Sequence, residues 1–341
     1  MYCSPASLVV PIPRCAGWSR NRCDQVRSGL LKFDARASDP ADGPGYATGV
    51  IVSRVEISNP GKALFGSGLT KLGLAKYYQS VAAVMVPYLA ERPISMQRFP
   101  NGVDGSGFYE KKVPTHFPPW VATVKVETAE DVQCQVVISD QRSLVYLADQ
   151  ACITPHTWLS RARALDLPDQ LMFDLDPSTD DVDTVRRAAV MTGELLDELG
   201  LTSFVKTTGS RGYHVVVPLR QRETFDETRD FAREVARILV HRAPDLLTTE
   251  QRKANRGEKV YLDVARNGYG QTAVPPYAVR ARTGAPVATP IEWYELNRVT
   301  PAEFTVETIT DRLSRRGDAW HGMRRRAHGL DRAREKLRRL Q

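Results

Sequence analysis

A mixed α+β fold is what this sequence predicts, and three patterns carry that expectation. Strand-like and helix-like segments alternate irregularly along the chain, with no internal repeat and no low-complexity tract. The stretch Leu171-Met172-Phe173-Asp174-Leu175-Asp176-Pro177 sets apolar against acidic side chains with the period of two of a half-buried strand. The segment from about Val182 to Leu199 has helical length and stops at Gly200, where a helix favours glycine just past its end.

The elements follow in order. Residues 1–46 mix Pro, Gly, Ser, Arg and Asp without apolar periodicity and read as a flexible leader. Val50-Ile51-Val52 and Val55-Glu56-Ile57 suggest two short strands. Thr70 then suits the N-cap of a helix that carries Leu72, Tyr78, Val81 and Met85 on one face and ends near Pro93. Ile94 to Gln97 reads as a strand, followed by the turn-rich loop Arg98-Phe99-Pro100-Asn101-Gly102, and Leu144 to Cys152 looks helical. Ser203–Lys206 and Tyr213–Pro218 read as strands around the turn Thr207-Thr208-Gly209-Ser210-Arg211-Gly212. A helix over about Asp226–His241 and a strand over Lys259–Val264, containing Asp263, complete the set. The expected organisation is a leader (1–46), a folded catalytic region (47–300) and a helical basic tail (301–341).

Composition sets the class. The chain has 341 residues, 42% of them hydrophobic and 26% charged, which excludes a wholly disordered, collagen-like or coiled-coil protein. Five cysteines without a CxxC pair argue against a zinc ribbon or a disulfide scaffold. No apolar run approaches the roughly 20 residues of a membrane span, and the N-terminus makes a poor signal peptide. A soluble protein of a reducing, cytoplasmic compartment, with no membrane partner, is expected. The formal net charge is +7, and residues from Gly317 onward hold eight Arg/Lys against three Asp/Glu. That run suits an anionic partner. It equally suits the solvated face of an amphipathic helix, because Leu330, Leu337 and Leu340 recur among the arginines.

The chemistry starts with Asp174 and Asp176. Two residues apart on a strand, they share one face about 7 Å from each other. Such a pair reads either as half of a site for a hard divalent cation such as Mg²⁺ or Mn²⁺, or as a strand end with two solvated acids. Asp263, a lone acid in the apolar Val260-Tyr261-Leu262-Asp263-Val264, favours the first. Three carboxylates on neighbouring strands could hold two cations roughly 3.5–4 Å apart, a site shared by nucleotidyl transferases, nucleases and phosphatases. In Thr208-Gly209-Ser210-Arg211-Gly212-Tyr213-His214, two glycines allow close backbone approach, and Ser210, Arg211 and His214 add donors, which favours phosphate binding over a plain hairpin with an incidental His. Arg256, Lys259, Arg280 and Arg282 are further candidate clamps for a triphosphate, although each taken singly reads as a surface charge.

Assembled, these motifs resemble the archaeo-eukaryotic primase superfamily, and most closely the polymerase module of bacterial DNA ligase D, the enzyme of non-homologous end joining. The likeness runs from about Ile57 to Leu296. Ile57-Ser58-Asn59-Pro60-Gly61-Lys62 with Leu69-Thr70-Lys71 looks like that family's opening segment. Arg98 to Gly105, Phe108-Tyr109-Glu110-Lys111 and Pro118-Pro119-Trp120 look like its next block. Phe173 to Pro177, Thr208 to His214 and Tyr261-Leu262-Asp263 match its three catalytic motifs in order, and Pro276 to Arg282 with Ala285-Pro286-Val287 close it.

The resemblance implies a primase-polymerase fold: mixed central sheets with packed helices and an acidic metal site. It implies a template-dependent nucleotidyltransferase that fills gaps or extends ends at 5′-phosphorylated DNA breaks, with a preference for ribonucleotides. Asp174, Asp176 and Asp263 would hold two Mn²⁺ or Mg²⁺ ions. Ser210, Arg211, His214, Arg256 and Arg280, with Thr208, would grip the triphosphate. His156 would lie near the incoming sugar, and Phe108 and Tyr109 beside the base or template. Lys62, Lys71 and Asn59 would read a 5′-phosphate. The implied partners are DNA, NTP or dNTP, and end-joining proteins such as a ligase or a Ku-like protein at the nucleoid. Thr208 stands where relatives often have Ser, Gln97 where one has Lys, and Arg211 where Lys is common. With neither a ligase Lys-x-Asp-Gly motif nor a His-rich nuclease module, the chain reads as a stand-alone polymerase. De novo priming and non-catalytic binding of DNA ends are the alternative functions.

Overall fold

A computed structural model describes residues 49–128 and 131–340. The expected leader, with Cys3, Cys15 and Cys23, lies outside the described residues. The chain opens with a hairpin, β1 (Val50–Val52) and β2 (Val55–Ile57), then helix α1 (Lys71–Leu89). Next come β3 (Pro93–Arg98), β4 (Phe108–Glu110), β5 (Thr123–Glu127), β6 (Val132–Val137), α2 (Gln141–Asp149) and β7 (Cys152–Trp158). A small hairpin, β8 (Ser160–Arg161) and β9 (Ala164–Pro168), leads to β10 (Gln170–Pro177) and α3 (Val182–Glu198). Then follow β11 (Phe204–Thr207), β12 (Tyr213–Pro218), α4 (Phe225–Arg242), β13 (Leu247–Thr248) and β14 (Val260–Asp263). Last are β15 (Thr272–Ala273), β16 (Pro290–Ile291), α5 (Ile309–Arg316) and α6 (Asp331–Arg338).

Local chemistry explains the helix boundaries. The Thr70 hydroxyl accepts the Gly73 amide at 3.1 Å, starting α1 one residue after the expected cap. Thr224 and Glu227 close a capping box on α4. Gly200, at φ +80°, ends α3. The helix expected over Leu144–Cys152 runs instead over Gln141–Asp149. An Asp140–Ser143 capping box begins it earlier, and Ala151 at φ +57° ends it, so that Cys152 opens a strand.

Two six-stranded sheets make the body. One has the order β13-β14-β10-β12-β11-β16, and the other β15-β7-β3-β6-β5 with β4 paired to β3. Strand β10 lies at the centre of the first, antiparallel to both neighbours. Its Leu171, Phe173 and Leu175 are fully buried among residues of α3 and α4, such as Val185, Ala189, Phe231 and Val235. The same alternation turns Met172, Asp174 and Asp176 to the opposite face. There Met172 and Val216 pack with Leu159 and Ala273 beside the second sheet. Helices therefore cover one face of the first sheet, and the second sheet approaches the acidic one.

The tail has two sides. Its apolar residues Met323, Leu330, Ala333 and Leu337 are buried in the packing of the first sheet, as is Trp320, whose indole N–H donates to the Val205 carbonyl at 2.9 Å. Asp318 accepts hydrogen bonds from the Tyr88 and Tyr277 hydroxyls at 2.6 and 2.7 Å. The helical spacing of Leu330 and Leu337 thus marks a docked segment, not a free arm. Among the described residues no helix is long and apolar enough to cross a membrane.

Candidate active site

Strand register places four ionisable side chains in one row across the first sheet. Lys206 on β11 lies opposite His214 on β12, His214 opposite Asp174 on β10, and Asp174 opposite Asp263 on β14. Directly opposed residues share a face, with Cβ atoms about 4.5–5.5 Å apart. His214 Nε2 lies 3.3 Å from Asp174 Oδ1. Arg266, on the short 3₁₀ turn after β14, sets Nε 3.5 Å from Asp174 Oδ2 and 3.4 Å from Asp263 Oδ2. Asp176 meets Arg256 Nη1 at 3.3 Å.

The electrostatics of this row follow from burial and neighbours. Burial alone would raise the Asp174 carboxyl, but His214, Arg266 and Lys206 outweigh it and hold the group well below the ordinary carboxylate range. Asp263 goes the other way, raised by burial and by the charges of Asp174 and Asp176 against the pull of Arg266. Burial, then Lys206, lower His214, so it is neutral at pH 7 despite the pull of Asp174. The geometry then puts its proton on Nε2, facing Asp174, and leaves Nδ1 without a partner. Lys206 is fully buried, its ammonium also lacks a hydrogen-bond partner, and burial and Arg280 bring it down to about 7.

A cleft of about 440 Å³ opens over this row. It brings together Asp174, Asp176, Asp263, His214, Thr208, Ser210 and Arg280 with Tyr109 and His156 from the second sheet. His156, brought down to about 3 by burial and by Arg280, is neutral and packs edge-on to Tyr109 at 5.4 Å. The turn after β11 is shaped for close approach. A Cβ on Gly212 would lie 1.9 Å from the Leu175 carbonyl oxygen, and Gly209 adopts φ +63° beside Arg280.

Several expected residues are placed differently. The Thr208 hydroxyl is occupied inside the turn, where it donates to the Gly212 carbonyl at 2.9 Å. Arg211 points to Asp180, 3.7 Å away, and is absent from the cleft wall. Arg256 stacks on Tyr261 at 3.9 Å and donates to the Glu250 and Gln251 carbonyls, so it braces Asp176 from behind. Phe108 is exposed, 5.7 Å from the Arg98 guanidinium and on the other face of β4 from Tyr109, which lines the cleft. Asn59, Lys62 and Lys71 form a separate cluster, with the Lys71 amide on the Lys62 carbonyl at 2.8 Å. The Lys71 ammonium is buried against Ser58 Oγ at 2.9 Å and Asp149 at 3.5 Å, and Lys62 is exposed.

Arg266 and Lys206 escaped the reading of the sequence. A cation three residues after Asp263, and a lone lysine in the apolar Phe204-Val205-Lys206, were the available signals.

The acids are not gathered as a ready metal cage. Among the described residues no three His, Cys, Asp or Glu side chains stand close enough to hold a metal ion together. Like charges this close need a cation between them, and the Arg266 guanidinium supplies it. The donor set still fits a hard divalent cation: it is carboxylate oxygen throughout, and the place where Arg266 bridges Asp174 and Asp263 is one where positive charge is stabilised.

A family model described as LigD, primase-polymerase domain, matches residues 70–320, spanning all three acids, His214 and the cleft arginines. The chain belongs to the LigD primase-polymerase family. It is 32% identical over 276 residues to the multifunctional non-homologous end joining DNA repair protein LigD of Mycobacterium tuberculosis, covering 78% of this chain and 36% of that protein. It is 32% identical over 251 residues to the bifunctional non-homologous end joining protein LigD of Bacillus subtilis, covering 73% and 40%. The chain thus spans well under half the length of these LigD relatives. A solved structure of the polymerase domain from Mycobacterium tuberculosis ligase D in complex with DNA superimposes with a TM-score of 0.75 at 30% identity. That match covers 81% of this chain and all of that one. The α+β primase-polymerase fold is thereby established, and with it a DNA nucleotidyltransferase of the LigD polymerase kind. Enzymes of this family depend on divalent metal.

Proposed function

We propose that the chain is a template-dependent polymerase that fills gaps or extends ends at 5′-phosphorylated DNA breaks, with ribonucleotides preferred, in non-homologous end joining. The observation that carries this reading is the row Lys206–His214–Asp174–Asp263, with Asp176, under a cleft rich in arginine. Asp174, Asp176 and Asp263 would hold two divalent ions, Mn²⁺ or Mg²⁺. Such ions, when bound, activate an attacking hydroxyl and stabilise a leaving pyrophosphate.

The protein's own groups account for the rest. Both cleft histidines are neutral at pH 7, so the positive charge facing an NTP or dNTP comes from Arg266, Arg280 and Arg282. Ser210, on the cleft wall, offers a further hydroxyl donor to phosphate. His214, through Nε2–H, fixes the orientation of the Asp174 carboxylate. His156 and Tyr109 form the wall against which a sugar and base would rest, a sequence-tolerant stacking surface. Arg256 acts through Asp176, and Arg211 and Thr208 act through the shape of their turn.

A 5′-phosphate would bind at the start of α1, where the helix dipole favours an anion and no acid lies in the first turn. Exposed Lys62 supplies charge, Asn59 shapes the preceding turn, and Lys71 lies below, shared with Asp149. Lys62→Ala should therefore erase the preference for a 5′-phosphorylated gap over an unphosphorylated one. The check is the ratio of the two dissociation constants, and a ratio unchanged from wild type would remove the pocket from the account. Because the acids are intact, a purely end-binding role is disfavoured. De novo priming is tested by comparing extension of a gapped duplex with synthesis on bare single-stranded template; the gapped duplex should be strongly favoured. A ligase or Ku-like protein at the nucleoid would be the end-joining partner.

A further inference from the structure

Five Lys or Arg side chains are buried among the described residues, and four of them touch a carboxylate. Lys71 meets Asp149, Arg92 and Arg161 share Asp169, and Arg256 meets Asp176. Lys206 is the exception. It is 0% exposed, and its ammonium has neither a carboxylate within ion-pair reach nor a hydrogen-bond partner. A buried cation in that state is costly, and Arg280 adds a like charge nearby. Lys206 is also absent from the wall of the cleft, so it does not face the nucleotide itself.

Its neighbour on the sheet has the complementary need. Register sets Lys206 on β11 directly opposite His214 on β12, and opposed residues share a face with Cβ atoms about 4.5–5.5 Å apart. His214 is 3% exposed; its Nε2 faces Asp174 Oδ1 at 3.3 Å, while Nδ1 is buried and unpaired. With the proton on Nε2, Nδ1 can only accept. A lysine nitrogen donates, whether it carries three protons or two. Two buried polar atoms of opposite kind on facing residues satisfy each other directly or through one ordered water.

The pairing matters because one contact does not fix an imidazole. Held only at Nε2, the ring can turn about Cβ–Cγ or move its proton to Nδ1, and either change withdraws the N–H from Asp174. A second contact at Nδ1 fixes tautomer and ring plane together.

We infer that Lys206 is a positioning residue: it holds His214 through Nδ1, so that Nε2–H stays on the Asp174 carboxylate. The inference rests on this row being the polymerase centre, as proposed above. It gives the buried lysine a role in catalysis exerted wholly through the histidine.

The test compares wild type with Lys206→Met, His214→Gln and the double variant, all in the full chain. Lys206→Met exchanges an unpaired buried cation for an apolar chain of similar length, so its melting temperature should stay within about 5 °C of wild type. Single-turnover addition on a 5′-phosphorylated gap should nonetheless slow by about 10–100-fold, the usual loss when a contact that orients a ligand is removed. KM for the nucleotide should change by less than about twofold, because Arg266, Arg280 and Arg282 still line the cleft. In the His214→Gln background the Met substitution should cause no further loss, since its route is gone. Imidazole ¹⁵N shifts, assigned by their disappearance in His214→Gln, should show a single Nε2–H tautomer for His214 in wild type and a mixture in Lys206→Met. An unchanged rate, a rise in KM alone, equal losses in the two backgrounds, or a mixture of tautomers already in wild type would overturn the inference. Failure of wild type to add a templated nucleotide, with its single tautomer intact, would instead overturn the polymerase reading.

Discussion

Asp174→Asn is expected to lose nucleotide addition on a gapped duplex by at least about 10³-fold, equivalent to about 4 kcal/mol of transition-state stabilisation. Asp174 sits at the centre of the row, opposed by His214 on one side and by Asp263 on the other, with Arg266 bridging to the second acid. The substitution keeps size and shape, and one oxygen that can still accept from His214, but removes the charge that would hold a cation there. Duplex binding should change little, because Lys62 lies elsewhere. Single-turnover extension beside anisotropy-measured affinity separates the two. A variant that retains more than a tenth of wild-type rate would place the chemistry outside this row.

Asp169→Ala is expected to destabilise the fold by about 3–5 kcal/mol, the usual cost of leaving a buried charge without its partner. Asp169 accepts from Arg92 Nη2 at 2.5 Å and from Arg161 Nε at 2.7 Å, and these guanidinium groups are only 1% and 2% exposed. Both also reach backbone carbonyls, Arg92 at Tyr88 and Trp158 and Arg161 at Ala90. Removing the shared carboxylate leaves two positive charges to repel each other between β7, the β8–β9 hairpin and the end of α1. Thermal unfolding should drop by about 10 °C, given a few degrees per kcal/mol for a domain of this size.

The same group predicts acid sensitivity. Burial raises the Asp169 carboxyl, but Arg92 and Arg161 outweigh burial and hold it below its ordinary value. Its contribution is therefore complete above the unfolded pKa of about 3.9 and is lost as pH falls through the lower folded value. Wild type should lose this increment below about pH 4, whereas Asp169→Ala should lack it at every pH. Unfolding free energies measured from pH 3 to 7 check both statements, and parallel curves for the two proteins would contradict them.

How far the sequence could be read depended on whether a residue's surroundings were local. The alternation of Leu171, Phe173 and Leu175 with Asp174 and Asp176 was legible because a strand repeats every two residues, and both faces have the expected character. Thr70 and Gly200 marked helix ends through their own hydrogen bonding and backbone geometry. By contrast, β15 and β16 have two residues each and derive their stability from neighbours distant in sequence, so no local period announced them, whereas β5 and β6 carry a period of two that went unread. The three acids and His214 were identifiable as a motif, but their order across the sheet comes from long-range register. That register also brings in Lys206 and Arg266, which carried no comparable motif. Arg211 and Arg256 illustrate the converse. Each sits beside a catalytic motif in sequence, yet Asp180 and Tyr261 draw their side chains off the cleft wall. The basic tail was ambiguous in sequence because an amphipathic helix and an anion-binding surface use the same residues, and here the leucines pack while the arginines stay outside.

The most direct test of the central claim is templated incorporation by the wild-type chain on a 5′-phosphorylated, one-nucleotide gap. Each of the four template bases is offered in turn, with NTPs or dNTPs, in Mn²⁺ and in Mg²⁺. Addition of one complementary nucleotide to the primer 3′-hydroxyl is expected, faster with NTPs, and none when divalent metal is chelated. Extension that ignores the template base, or persists under chelation, would contradict it.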